Sequence, residues 1–157
     1  MNPTLAGFQN FIVTVMGIDS SKLSLSNPVV AMVYNLAVNT VNLALVAIPN
    51  ADTSQPTIYA TAVYNLAGDL LINLAQDSPP SFAPPLSYFN QLRTNFGCNS
   101  FVGGVLNSTS DEGTSEGMTV PDFAAGLTVG QLNNLKTPYG RVYLAIAGSY
   151  GSLWGLS

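Results

Sequence analysis

Two long apolar segments constrain this chain more than any other feature of its sequence. They cover residues 29–48 and 58–75, and Asp69 is the only charged side chain in either of them. At about 1.5 Å per helical residue, the first is long enough for a bilayer core of about 30 Å. It contains several Asn residues, however, and lacks basic or aromatic anchors at its ends. Burial in protein is the better interpretation, and an apolar arc this wide predicts helices packed on more than one side.

Capping residues and prolines give both segments definite ends. Asn27 is a good N-cap residue and is followed by proline at the first helical position. Pro49 disfavours the helical conformation of the residue before it. We therefore predict one helix over residues 28–48 and a second over residues 57–76.

Each predicted helix carries a narrow polar stripe at helical spacing. The stripes consist of Asn35, Asn39 and Asn42 on the first helix, and of Asn65, Asp69 and Asn73 on the second. Because buried amides need hydrogen-bond partners, two interpretations stay open. Either the stripes meet water or a loop of the same chain, or they form hydrogen bonds to a neighbouring subunit.

Shorter helical patterns complete the first part of the chain. Apolar side chains recur at helical spacing over residues 4–16, where Thr4 is a candidate cap. A further helix is predicted over residues 86–96, with Gly97 after its end. Four helices joined by short links predict a helical bundle over residues 1–96.

The last third of the chain is irregular in sequence. Residues 97–127 are rich in Gly, Ser, Thr and Asn and predict a long loop packed on the bundle, within which a small hairpin stays open as an alternative. Within residues 128–157, short helices are predicted over 129–135 and 138–147, and the glycine-rich residues 148–157 predict an extended tail. The chain is thus predicted to be a single all-α domain: a small helical bundle with a long irregular loop and an extended C-terminal tail.

This sequence has few charged residues, and that scarcity restricts the classes of function that the protein can have. Charged residues make up 8% of the 157 residues, against about 25% in typical soluble domains. The 4 Lys and Arg residues cannot neutralise the phosphates of a usual nucleic-acid footprint. The chain has no His, which is the commonest general base and metal ligand. Its one Cys, Cys98, excludes an internal disulfide and a Cys-based zinc site, and we predict it to be a small buried apolar residue.

Motifs that resemble catalytic signatures are incomplete. The triplet Asp52-Thr53-Ser54 lacks the glycine of the Asp-Thr-Gly triplet of aspartic proteases and lies in an all-α context. The glycine-rich residues 148–155 lack the Lys-Ser/Thr ending of a phosphate-binding loop. We therefore predict no catalytic residues, no cofactor and no enzymatic activity.

The acidic residues of the long loop have two interpretations. Asp111 and Glu112, with Glu116 nearby, offer carboxylates to a cation such as calcium, but they do not fit the twelve-residue calcium-loop pattern. A solvated acidic loop is the simpler interpretation, and no metal site is predicted. Because arginine is suited to pairing with a carboxylate, Arg93 or Arg141 is predicted to form a structural ion pair with Asp111 or Glu112.

The tail is apolar and uncharged, and it holds the only Trp of the chain. Its large side chains are Tyr150, Leu153, Trp154 and Leu156. A segment this rich in Gly and Ser is a poor helix and cannot easily fold on itself. We expect it to lie against something else.

Several strings in the second half resemble the head-to-tail adaptor (connector) proteins of tailed bacteriophages, most closely short-tailed ones. They are Tyr88-Phe89, Leu92-Arg93-Thr94-Asn95-Phe96, Asn99-Ser100-Phe101-Val102, Ser110-Asp111-Glu112-Gly113-Thr114, Leu135-Lys136-Thr137-Pro138-Tyr139-Gly140-Arg141 and Ser149-Tyr150-Gly151-Ser152-Leu153-Trp154-Gly155-Leu156. The similarity covers residues 88–157, whereas the first half is similar only as a helical bundle.

The resemblance implies a structural virion protein. Such adaptors form a ring, commonly of twelve copies, beneath the portal protein in the neck of the virion, and subunits wait in the host cytoplasm before assembly. The ring continues the DNA channel, through which DNA passes without specific binding, and offers a platform for the tail or nozzle protein. The resemblance implies portal docking for Tyr150, Leu153, Trp154 and Leu156.

Two other classes of function are alternatives. One is a small membrane-associated protein of the lysis type, with residues 29–48 and 58–75 as its spans. Asp69 argues against it, because a carboxylate in mid-bilayer is costly, and no membrane partner is expected. The first residues also lack a basic segment followed by an apolar run, so no secretory signal is expected. The other alternative is a different virion component, such as a tail or capsid protein.

Overall fold

Side-chain caps set the start of four helices in this protein. The computed structural model describes residues 2–48, 55–77, 87–99, 105–108, 117–119 and 134–150. The α-helices are α1 Leu5–Thr14, α2 Pro28–Thr40, α3 Ile58–Leu74, α4 Tyr88–Asn95 and α5 Pro138–Ser149. Caps that accept a hydrogen bond from an N–H in the first turn are Thr4, Asn27, Thr57 and Thr137. The predicted all-α fold is confirmed.

The first long helix is shorter than the sequence predicts. Helix α2 ends at Thr40, and Val41 takes an extended conformation with ψ of 131°. The side-chain oxygen of Asn42 then accepts a hydrogen bond from the N–H of Ala44 at 2.8 Å and starts a 3₁₀ helix, Leu43–Ala47. The prediction of one unbroken helix is wrong here, because an Asn side chain competes for backbone hydrogen bonds and favours a cap over a helix interior.

Helix α3 is the centre of the bundle. It contacts α1, α2, α4, α5 and the 3₁₀ helix. Its buried residues are Tyr59, Ala60, Ala62, Val63, Tyr64, Asn65, Leu66, Ala67, Gly68, Asp69, Leu71 and Ile72. Packing on more than one side is therefore confirmed for this helix.

Aromatic rings from four helices, α1, α2, α3 and α5, lie close together. The ring centroids of Phe8 and Tyr34 are 6.1 Å apart, and those of Phe8 and Tyr64 are 6.2 Å apart. Phe11 lies 5.9 Å from Tyr64 and 6.0 Å from Tyr139. Offset and tilted pairs at these separations each add about 1 kcal/mol beyond their burial.

Glycine at position 7 permits the close approach of α1 and α3. The Tyr64 hydroxyl accepts a hydrogen bond from the N–H of Thr4 at 3.0 Å. A Cβ at Gly7 would overlap that hydroxyl oxygen. The first turn of α1 therefore packs directly against the hydroxyl of Tyr64 on α3.

Two polar contacts hold α4 against the C-terminal end of α3. The Asp77 carboxylate accepts a hydrogen bond from the N–H of Phe89 at 2.9 Å, so a residue far from α4 in sequence caps its first turn. Arg93 donates from Nε to the carbonyl oxygen of Ile72 at 2.9 Å and from Nη2 to that of Ala75. These carbonyls end a helix and have no partner within it, which makes a guanidinium a favourable neighbour.

The last third of the chain combines a small sheet with a helix. Strands β1 Val105–Ser108 and β2 Gly117–Thr119 pair antiparallel inside the loop predicted over residues 97–127. Helix α5 confirms the helix predicted over 138–147 and extends it to Ser149. The helix predicted over 129–135 lies mostly outside the described residues.

Candidate partner-binding surfaces

Helix α2 exposes apolar side chains to solvent. Met32 is 50% exposed and Leu36 is 46% exposed. Asn35 and Asn39 are also exposed, and residues three and four apart share one side of a helix. These four residues form what we call the α2 face. Helix α2 contacts α1 and α3, but among the described residues nothing covers the α2 face.

The 3₁₀ helix continues this uncharged surface along the chain. Leu43 is 69% exposed and Val46 is 45% exposed, and residues three apart lie on one side of a 3₁₀ helix. Helices α1 and α2 and the 3₁₀ helix contain no Asp, Glu, Lys or Arg. Exposed apolar groups without charge around them are typical of a surface that another protein covers.

A second apolar surface lies at the C-terminal end of α5. A cleft between the 3₁₀ helix, α3 and α5 is lined by Val41, Leu45, Ala62, Tyr143, Ile146 and Tyr150, among others. A shallow depression of about 370 Å³ shares Ile146 and Tyr150 with this cleft and is also lined by Ile58, Thr61, Ala145 and Ser149. We call the two together the α5 groove. None of these lining residues carries a charge at neutral pH, and burial raises the pKa of Tyr143 to about 12.

Tyr150 is the one predicted docking residue that the structure describes. It is the C-cap of α5, and its N–H donates to the carbonyl oxygen of Ala147 at 3.2 Å. Its half-buried side chain lines both parts of the α5 groove. Leu153, Trp154 and Leu156 lie outside the described residues. The last described residue before the terminal segment, residues 151–157, therefore lies at the groove.

A buried carboxylate fixes the start of α5 to α3. Asp69 is only 1% exposed, and its Oδ1 accepts a hydrogen bond from the Thr137 hydroxyl. The same hydroxyl oxygen accepts a hydrogen bond from the N–H of Gly140 at 2.9 Å. Burial raises the pKa of Asp69 to about 6, although the Thr137 hydrogen bond acts in the opposite direction. This link sets the position of the helix that leads to the groove.

The two polar stripes have different environments. On α3, Asp69 meets the residue before α5, and the Asn65 amide donates to the carbonyl oxygen of Thr61 at 2.8 Å, so these stripe residues find partners within the chain. On α2, Asn35 and Asn39 are exposed and remain accessible to water or to a neighbouring subunit. The prediction that Asn42 belongs to this stripe is wrong, because Asn42 caps the 3₁₀ helix.

Both arginines of the predicted ion pairs donate hydrogen bonds to backbone carbonyl oxygens. Arg93 is engaged with the end of α3, as above, and its Nη1 donates to the side-chain oxygen of Asn90 at 2.8 Å. Arg141 donates to the carbonyl oxygen of Leu135 at 3.2 Å. Asp111 and Glu112 lie outside the described residues, so their pairing with either arginine stays a prediction.

The described residues contain no cluster of three or more His, Cys, Asp or Glu side chains placed to hold a metal ion. Cys98 is half-buried, and burial raises the pKa of its thiol. None of the helices in the described ranges combines the length and the hydropathy that a membrane crossing requires.

One string of the loop matches a hydrolase pattern that the sequence reasoning missed. Residues 113–117, Gly-Thr-Ser-Glu-Gly, fit Gly-x-Ser-x-Gly. The nucleophile elbow of hydrolases follows a strand and opens a helix, whereas here the string ends at the first residue of β2. The chain also has no His to act as the base of a Ser-His pair.

Long-range partners are the other features that sequence reasoning missed. Thr137 and Asp69 are 68 positions apart, and Arg93 reaches carbonyls some 20 positions away. A carboxylate in an otherwise apolar helix was the only available signal, since a buried charge needs a partner.

Comparison with known proteins adds no assignment, since no family model, no curated protein and no solved structure matches this chain.

Proposed function

We propose that this chain is a structural, non-enzymatic virion protein: a head-to-tail adaptor subunit whose ring joins the portal to the tail and continues the DNA channel. The observation that carries the proposal is the uncharged, apolar character of the exposed helices. A ring subunit buries two flanks on its neighbours, and interfaces between permanent partners are as apolar as a domain core. The resemblance of residues 88–157 to phage adaptors is the reason for proposing a ring between portal and tail rather than another kind of assembly.

The α2 face is the proposed contact between neighbouring copies. Its apolar side chains alternate with amides that are able to donate and accept hydrogen bonds. No charge on α2 needs to lose its hydration when two copies meet. The net charge of −4 per copy suits a ring through which DNA slides without sticking.

A charge placed on the α2 face should prevent ring assembly. We expect Leu36→Lys to reduce the number of copies bound per portal severalfold, because a desolvated ammonium opposes the contact. The matched control is Val142→Lys, which changes a side chain of similar exposure on α5. Mass measurement in solution, with and without portal, reports the result. Normal assembly of Leu36→Lys would show that the α2 face is not the contact.

The terminal segment is the proposed portal-docking element. Removal of residues 151–157, which leaves α5 complete, should abolish portal attachment while the helical circular dichroism spectrum is retained. Aromatic anchors dominate interface energies, so Trp154→Ala should cost about 2 kcal/mol or more of binding. Ser152→Ala in the same segment should bind as the unaltered chain does.

The measurement is a titration of each variant against the portal protein of the same virion. If the truncated chain binds portal as tightly as the full chain, the docking role is wrong. If the unaltered chain does not bind portal at all, the adaptor function itself is wrong. Extraction from cells only with detergent would instead favour the membrane-associated alternative.

A further inference from the structure

Ring symmetry restricts what the α2 face is able to contact. A surface that meets the same surface of a second copy is fully used in a dimer. A cyclic ring of more than two copies therefore needs a contact between two different surfaces of the chain. If the α2 face is one of these surfaces, the neighbouring copy has to present another.

The α5 groove has the shape and the composition of such a second surface. It is concave and apolar, and it shares no residue with the α2 face. Tyr143 and Tyr150 line the groove, and Met32 is 50% exposed on the α2 face. Aromatic residues and Met are enriched in the cores of protein interfaces. The side chains of a helix face pack well into a groove between other helices.

Polar groups at the groove complement those of the α2 face. The hydroxyls of Thr61 and Ser149 each donate to the carbonyl oxygen four residues earlier, at 3.1 and 2.7 Å. Each hydroxyl oxygen keeps a lone pair that is able to accept a further hydrogen bond. The α2 face offers the exposed side-chain amides of Asn35 and Asn39, whose NH₂ groups donate such bonds.

We propose, on the basis of the proposed ring, that the α2 face of each copy docks in the α5 groove of the next copy. Met32 and Leu36 then lie against the apolar lining, and the two amides bind the hydroxyls at the groove. Neither surface carries a charged side chain, so no ion loses its hydration in the contact. Any open row of copies keeps a free α2 face at one end and a free groove at the other, and only a closed ring satisfies both.

Disulfide trapping in concentrated solution tests which surfaces meet. Every variant carries Cys98→Ser, which removes the native thiol. One copy also carries Leu36→Cys and the other Ser149→Cys, both at exposed positions. After mild oxidation of the mixture, we expect the mixed dimer to be severalfold more abundant than the dimer that either variant forms alone. Mass spectrometry identifies the linked pair.

Two controls test whether trapping depends on the groove. Val142→Cys places the thiol on α5 at a residue that is 44% exposed and does not line the groove. With Leu36→Cys it should give severalfold less mixed dimer than Ser149→Cys does. Ala145→Lys, added to the Ser149→Cys copy, places a charge at an exposed residue of the groove lining and should abolish the mixed dimer.

Three outcomes would overturn the proposal. Trapping of Leu36→Cys alone at the level of the mixture would show that two α2 faces meet each other. Equal trapping with Ser149→Cys and Val142→Cys, or trapping that Ala145→Lys leaves intact, would show that the groove is not the contact. Absence of any mixed dimer would show that the two surfaces do not meet. The trapping needs no portal, so failure of the portal titration would end the adaptor function and leave a trapped contact between copies in place.

Discussion

Raising the pH from below 4 to above 6 should lower the free energy of unfolding by about 3 kcal/mol. Burial raises the pKa of Asp69 in the folded chain from its ordinary value of 3.8 to about 6. Between these values the folded chain holds a proton that the unfolded chain has lost. The stabilisation is complete below pH 3.8 and is lost as the pH rises through about 6. The difference of about two pH units, at about 1.4 kcal/mol each, gives the expected size.

The matched variant for this prediction is Asp69→Asn. The amide is almost the same size and still accepts a hydrogen bond from Thr137, but it does not titrate. Denaturant unfolding at a series of pH values should give a falling curve for the unaltered chain and a nearly flat one for the variant. Equal slopes, or stability that rises through this window in the unaltered chain, would contradict the role assigned to Asp69.

Replacing Gly140 by Ala should destabilise the fold by about 3 kcal/mol or more. A Cβ at position 140 would overlap the carbonyl oxygen of Asn134 and come within 2.8 Å of its Cα. Because the obstacle is backbone, no rotamer change relieves it, and overpacking of this kind costs about 1–3 kcal/mol or more. The N–H of Gly140 would also be displaced from the Thr137 hydroxyl that caps the helix.

Gly148→Ala provides the control on the same helix. A Cβ at Gly148 meets nothing within 4 Å. Alanine is the better helix former by about 1 kcal/mol, so this variant should be unchanged or slightly more stable. Thermal unfolding followed by circular dichroism compares the two. Similar midpoints for both variants would show that the Asn134 carbonyl does not restrict position 140.

Local signals account for the parts of the fold that the sequence predicts well. Asn27, Thr57 and Thr137 begin helices because each cap acts on backbone groups within a few residues of itself. The same local effect explains why one helix was wrongly predicted over residues 28–48, whereas α2 ends at Thr40. Asn42 looked like one more member of a polar stripe, but as a cap it ends one helix and starts another.

The candidate surfaces are less accessible to sequence reasoning. Met32 and Leu36 are exposed because of the side on which α2 packs against α3. The pattern of apolar residues in a helix does not show which of those residues a neighbouring helix will bury. The link from Asp69 to Thr137 joins distant parts of the chain. Of the four predicted docking residues, the structure describes Tyr150 alone, and it places that residue beside an apolar groove that no motif indicated.

The contact between Gly7 and Tyr64 has a consequence for how this sequence can diverge. A side chain at position 7 collides with another side chain rather than with backbone, so a smaller residue at position 64 would relieve the collision. Positions 7 and 64 should consequently evolve as a pair. A lineage that loses glycine at the first should also lose tyrosine at the second.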